Sequence, residues 1–191
     1  MKAKIKHNVD IINIVPLIRQ HKDFLPQMFF DKLSALINGN TFQWFFNKSN
    51  LDHTKPPFIK NNKFMFTHTL FREEQGKSSG WFNTFEPILY SINEKVKVNQ
   101  LIRMKLNLYT NQNKKITQGS HYDHYDDKGK PSTDVNTAIL NFTTCNGGTK
   151  INKKIYKSNA NEILIFNNTS THNGIVQTDT PTRIVLNINW R

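Results

Sequence analysis

From residue 100 onward the hydrophobic pattern of this chain has a period of two, and that restricts what it can fold into. In "LIRMKLNLY" the even positions Ile102, Met104, Leu106 and Leu108 are apolar, while Arg103, Lys105, Asn107 and Tyr109 are polar or amphipathic. "RIVLNINW" alternates likewise, with Ile184, Leu186, Ile188 and Trp190 on one side and Arg183, Val185, Asn187 and Asn189 on the other. Successive strand side chains point to opposite faces, so such segments are strands with two distinct faces. "VNTAILNFTT" reads as a strand running into "NGGT", a hairpin-type turn signal, and "EILIF" as a short apolar strand. "CNGGT" is therefore expected to be a turn, with Gly147 and Gly148 supplying backbone geometry.

Residues 1–99 read as a helical and irregular support region. "FLPQMFFDKLSALING" has apolar residues at 25, 28, 29, 33, 36 and 37, near helical spacing, with Gly39 as C-cap. "WFNTFEPILYSINEKV" predicts a second helix after Pro87, and "KPPFIKNNKFMFTHTLF" a Pro-Pro turn leading into a strand. Helices followed by strands predict one α+β domain over 1–191, mainly β, whose 100–191 part is a sandwich or barrel.

Charge narrows the function classes less than its size suggests. The formal net charge is +12, but it comes from 21 Lys against 5 Arg, and the lysines are scattered from Lys2 to Lys157. Nucleic-acid readers use arginine where planar, bidentate recognition matters. Asn, Lys and Ile make up 65 of the 191 residues, which favours compositional drift on a solvated surface over a dedicated basic face. No apolar run approaches the roughly 18 residues of a membrane span, so no membrane partner is expected. The basic-then-apolar start is interrupted by Asp10 and Asn13 and lacks a small-residue cleavage site, so it does not read as a signal peptide. The single cysteine, Cys145, excludes an intrachain disulfide and a cysteine zinc cage, and a reducing, cytoplasmic setting is the default expectation.

The chemistry-bearing segment is "QGSHYDHYDDKG", residues 118–129, which holds His-x-Asp twice, at His121–Asp123 and His124–Asp126. A third pair is His21–Asp23, and with seven His in the chain such pairs also arise by chance. What gives them weight lies downstream: His172 follows the strand "EILIF", and Arg183 opens the last alternating strand. Residues i and i+2 of a strand can offer an imidazole and a carboxylate to one ion, with His172 arriving from another strand. Two His and one carboxylate form the facial triad of non-haem Fe(II) oxygenases, which leaves open coordination positions. Arg183, deeper in the same cavity, would suit bidentate recognition of a carboxylate.

On these residues the sequence resembles the Fe(II)/2-oxoglutarate-dependent oxygenases, in particular the prolyl 4-hydroxylase-like branch and its small phage-type members. "FLPQMFFDKLSALINGNTFQWFFN" and "KFMFTHTLF" look like the N-terminal segment of those proteins. "RMKLNLYTN", "HYD", "TAILNFTTCNGGT", "ILIFNNTSTHNG" and "PTRIVLNINW" look like their barrel strands in order. The resemblance implies a double-stranded β-helix (a cupin-like jelly-roll) with N-terminal helices packed on one sheet. It implies His121, Asp123 and His172 as iron ligands, and Arg183 and Tyr109 on the distal carboxylate of 2-oxoglutarate. Fe(II), 2-oxoglutarate and dioxygen would be the reactants held by the protein, with ascorbate as an optional reductant. Hydroxylation of a small-molecule or peptidyl substrate (a prolyl residue, for instance) would yield succinate and carbon dioxide. A phage-encoded member would work in the host cytoplasm. Many relatives carry Ser or Thr two residues after the arginine; here it is Val185, with Asn187 or Asn189 as the stand-in.

Of the two overlapping frames, 124–126 runs into "DDKGKP", which is turn chemistry, so 121–123 is favoured and placed on regular structure. His124 and Asp126 become mouth or loop residues, and His124, Tyr125 and Asn107 are candidates for the substrate side. His21–Asp23 is expected on the surface without a companion strand. Blander readings stand beside these. His172 is then a hydrogen-bonded loop histidine, Arg183 a solvent-facing strand residue, and Tyr109 a core or rim aromatic. Arg103, Lys105 and Asn107 line the cavity or meet water. Cys145 and His68 are read as packed residues. Two other functions compete: a nucleic-acid base dealkylase of the same superfamily, which the scarcity of arginine disfavours, and a non-catalytic jelly-roll binding module. The sequence leaves the oligomeric state open.

Overall fold

The computed structural model describes residues 18–47 and 64–191. In chain order the elements are β1 (Arg19–His21), α1 (Gln27–Asn38), β2 (Phe45–Asn47), β3 (Met65–Arg72), β4 (Gly76–Lys77), α2 (Phe82–Phe85), α3 (Pro87–Asn93) and β5 (Leu101–Thr110). They continue with β6 (Asn136–Asn141), β7 (Cys145–Ile151), β8 (Lys154–Ser158), β9 (Glu162–Asn167), β10 (His172–Ile175) and β11 (Thr182–Trp190). The strands form two antiparallel sheets. The major sheet runs β1-β9-β6-β11-β5-β3-β2, with β4 paired to β3, and the minor one β10-β7-β8.

The period-two pattern explains why the major sheet sits between two layers. Ile184, Leu186, Ile188 and Trp190 of β11 join Met104 and Leu106 of β5 in a core with Phe30, Leu33 and Ile37 of α1 and Ile88 and Ile92 of α3. Each such fully buried side chain contributes about 1.5–3 kcal/mol. The opposite face meets the minor sheet, where Tyr109, Ile139, Leu164 and Val185 pack against Ile151 and Tyr156. Polar-out alternation therefore fails for β11: Arg183 is 1% exposed, Asn187 4% and Asn189 2%. These residues lie between two sheets, and their burial needs partners. The mainly β, jelly-roll-like sandwich with helices on one sheet is as expected from the sequence.

Three local expectations are corrected. "NGGT" is not a hairpin turn. It lies inside β7, to which the chain crosses from β6 in the other sheet. Its glycines serve close approach, since a Cβ on Gly147 would lie 2.7 Å from the Ile175 carbonyl oxygen and one on Gly148 2.3 Å from that of Tyr156. The tight hairpin comes next, at Asn152–Lys153, where Ile151 pairs with Lys154 and Asn152 takes the left-handed conformation at φ 53°. The first half also contributes more strands than the one expected: β3, the strand read in "KFMFTHTLF", pairs with β5 along its length, and β1, not expected, extends the major sheet on β9. His21 accordingly has a companion strand, pairing with Ile163, while Asp23 is exposed.

The second predicted helix begins at Pro87 as α3, preceded by the single turn α2. Gly39 closes α1, its N–H donating to the Leu36 carbonyl at 3.1 Å. The Pro-Pro turn and the basic chain start lie outside the described residues. His68 is packed as read, with Nδ1 2.6 Å from the Gln43 carbonyl and Nε2 2.7 Å from Ser79 Oγ. Cys145 is buried. Among the described residues no helix is long and apolar enough to cross a membrane.

Candidate metal centre and anion pocket

His121 and Asp123 do not sit on a continuous strand, contrary to the expectation. A single antiparallel bridge joins His121 to His172, the first residue of β10. The following backbone is held by a side chain in place of a ladder. Asn168 Oδ1 accepts the N–H groups of Asp123 at 3.0 Å and His124 at 3.1 Å, while its Nδ2 donates to the carbonyls of His124 at 2.7 Å and Ser132 at 3.2 Å. Asn168 is buried and satisfies backbone groups that would otherwise be orphaned.

The result is a compact donor set. One ligand atom from each of His121, Asp123 and His172 lies within 4.8 Å of the others. His121 Nε2 is 3.7 Å from Asp123 Oδ1, and His172 Nε2 is 3.5 Å from Asp123 Oδ2. His121 Nδ1 lies 3.0 Å from the Gly119 carbonyl, which fixes the proton there and turns the Nε2 lone pair toward the centre. Burial pulls the His172 imidazole down to about 4, so it is neutral at pH 7. Burial alone would raise Asp123, but the charge of Arg103, aided by His172 and His121, holds its carboxyl well below the usual carboxylate range. Neutral imidazole and ionised carboxylate are the protonation states that metal ligation requires.

Asp123 is fixed by groups that sequence reasoning assigned elsewhere. Arg103 Nη2 donates to its Oδ1 at 2.8 Å, and the amides of Asn187 and Asn189 donate to its Oδ2 at 2.9 and 3.0 Å. Both asparagines thus anchor the carboxylate instead of standing in at the Val185 position. Their signal was present in the sequence: they share the strand face of Arg183, and Arg103 shares that of Tyr109.

A second polar feature lies on the same sheet face. The Arg183 guanidinium is 5.4 Å from the Tyr109 ring centroid, and its Nη2 donates to Thr149 Oγ1 at 3.1 Å and to Asn141 Oδ1 at 3.4 Å. Its Nε is buried without an acceptor, and no carboxylate pairs with it among the described residues. Burial lowers Arg183 and raises Tyr109, whose phenol keeps its proton. Gly174 borders both: a Cβ there would stand 3.4 Å from the Tyr109 hydroxyl and 3.7 Å from Arg183 Nη1. A fully buried cation without an anion is costly, and the arrangement calls for an anionic ligand.

No protein-family model matches this sequence, and no curated protein does. Solved structures do match. An oxidoreductase of the 2OG-Fe(II) oxygenase family from Burkholderia pseudomallei superposes with a TM-score of 0.67 at 7% identity, covering 93% of this chain and 86% of that one. A Pseudomonas putida prolyl-4-hydroxylase gives 0.59 at 12% identity, over 92% of each chain. The non-heme alpha ketoglutarate dependent epimerase SnoN from nogalamycin biosynthesis gives 0.60 at 10% identity, over 91% of this chain and 75% of that one. The fold is that of the 2OG-Fe(II) oxygenases.

The residues present fit the two groups that a 2OG-Fe(II) oxygenase fold implies. Two imidazoles and one carboxylate suit a divalent ion with open positions, and the unpaired guanidinium suits a carboxylate. In this fold β5 carries Arg103, Lys105, Asn107 and Tyr109 past both. Burial and the Arg103 charge pull the Lys105 ammonium down to about 7. Asn107 is buried with its Oδ1 unpartnered.

The overlapping frame does not join the metal cluster. His124 Nδ1 is 2.8 Å from Ser132 Oγ, and Asp126 Oδ1 accepts the N–H groups of Lys128 and Lys130 at 3.0 and 2.8 Å within its own turn. Tyr125 pairs with Pro131 and meets the Tyr122 ring edge-on at 6.0 Å.

Proposed function

We propose that this protein is an Fe(II)- and 2-oxoglutarate-dependent dioxygenase that hydroxylates a C–H bond of a small-molecule or peptidyl substrate. One oxygen atom of O2 enters the product and the other enters succinate, with release of carbon dioxide. The observation that carries the reading is the pairing of a His-Asp-His donor set with an acid-free buried guanidinium on one sheet face.

His121, Asp123 and His172 would hold the ion from one side. When bound, the ion and 2-oxoglutarate together supply the oxidising chemistry with dioxygen. The chain's own contribution is positioning. Arg103, Asn187 and Asn189 keep the Asp123 carboxylate oriented. Arg183 and the protonated Tyr109 would receive the distal carboxylate of the cosubstrate, with Thr149 steering the guanidinium. Val185, packed with Ile139 and Leu164, adds an apolar wall where a hydroxyl residue would admit water.

Anaerobic titration of the Fe(II)-loaded protein with 2-oxoglutarate tests the reading. A saturable visible charge-transfer band that is lost in His172→Ala and weakened in Arg183→Met is expected. Absence of any 2-oxoglutarate binding by the metal-loaded protein would remove it.

A further inference from the structure

We propose that the substrate of this site carries an oxyanion, a carboxylate or phosphate, received on β5 by Lys105 and Arg103; the inference rests on the oxygenase reading.

The alternation of β5 puts both cations between the sheets. Met104 and Leu106 enter the helix-side core, so Arg103, Lys105 and Tyr109 take the other face. The cross-strand neighbours of Lys105 are Thr69 on β3 and Asn187 on β11, and neither carries charge. Arg72, near the end of β3, adds to the positive field that Lys105 experiences. The minor sheet presents Thr149, Ile151, Tyr156 and His172 toward this space and no acid. The single carboxylate acting on Lys105 is Asp123, whose oxygens already accept from Arg103, Asn187 and Asn189. Among the described residues the Lys105 ammonium makes no hydrogen bond or ion pair, and Arg103 Nε is buried without an acceptor.

Charge balance then points to the ligand. Three basic side chains (Arg103, Lys105 and Arg183) face one acid, Asp123, so the chain itself leaves a net positive surplus. A divalent ion and a dicarboxylate cosubstrate cancel each other and do not change that surplus. In a partly dehydrated cavity an uncompensated surplus is expensive, and an anionic substrate neutralises it. Arg183 is committed to the cosubstrate end, since its cross-strand partner is Tyr109; Lys105 lies four residues further along β5. That spacing is about 13 Å along the strand, enough to separate two anion sites.

Inorganic phosphate and acetate are the probes. Each is titrated by calorimetry into Mn(II)-loaded protein already saturated with 2-oxoglutarate, which occupies Arg183. Saturable binding is expected, weakened roughly tenfold or more in Lys105→Met, the size of one charge-assisted hydrogen bond. Lys105→Arg, which keeps the charge, retains binding and guards against a folding artefact. The tighter of the two probes identifies the substrate's anion. The proposal is overturned if neither probe binds, if Lys105→Met binds them as well as the wild type, or if that variant loses 2-oxoglutarate affinity instead. Failure of 2-oxoglutarate itself to bind shows before any probe is added and counts against the oxygenase reading alone.

Discussion

His121 and His172 exchange both of their backbone hydrogen bonds, at 3.1 and 3.0 Å, and their rings consequently sit 4.5 Å apart. One bridge, formed between a loop and the first residue of β10, brings two distant imidazoles to one carboxylate. Everything proposed for the centre depends on that bridge.

Removal of either imidazole or of the carboxylate should abolish stoichiometric metal binding. Metal analysis after dialysis against Fe(II) or Co(II) should give one ion for the wild type and none for His172→Ala. Asp123→Ala should also cost about 1–3 kcal/mol of stability, because the buried Asn187 and Asn189 amides and the half-buried Arg103 guanidinium then lose their acceptor. A variant that retains one tight ion would show that the ligands lie elsewhere.

The neutral state of His172 makes the metal-free fold acid-sensitive in a defined window. Its pKa is 6.5 in the unfolded chain and about 4 in the fold, so between those values the unfolded state binds the extra proton. Stability from this group is complete above about 6.5 and falls as pH drops toward 4, by about 3 kcal/mol in all. Denaturant titrations at several pH values should show this slope in the wild type and its loss in His172→Gln. An equal slope in both would assign the acid sensitivity to other groups.

Arg183→Met should separate binding from folding. Replacing a buried, acid-free guanidinium by an apolar chain of similar length should leave the melting temperature unchanged or raised. The affinity for 2-oxoglutarate should meanwhile fall about a hundredfold, as loss of paired charge-assisted hydrogen bonds predicts. A large stability loss with unaltered 2-oxoglutarate binding would make the residue structural.

Two glycines should respond differently. At Gly174 a methyl group meets only ordinary contacts of 3.4–3.7 Å with Tyr109 and Arg183, so Gly174→Ala should fold normally. It fills the space beside the guanidinium, and 2-oxoglutarate binding should weaken. At Gly148 the added methyl would lie 2.3 Å from the Tyr156 carbonyl oxygen, and backbone cannot yield cheaply. Gly148→Ala should therefore lower stability by about 1–3 kcal/mol through overpacking, measurable by thermal melts.

The sequence by itself determined strands β5, β6, β9 and β11, since period-two alternation and short apolar runs are local properties that survive in any β context. It also determined the order His121, Asp123, His172, Arg183, and hence which residue types could converge. The tertiary structure alone decided that β11 is buried on both faces, so that Arg183 is enclosed, not solvent-facing, and Asn187 and Asn189 reach the Asp123 carboxylate. It decided that the glycines after Cys145 permit sheets to approach instead of making a turn, and that Asn168 holds the ligand loop. Burial and close approach depend on what lies across the sandwich, often many tens of residues away along the chain, and no local pattern carries that information.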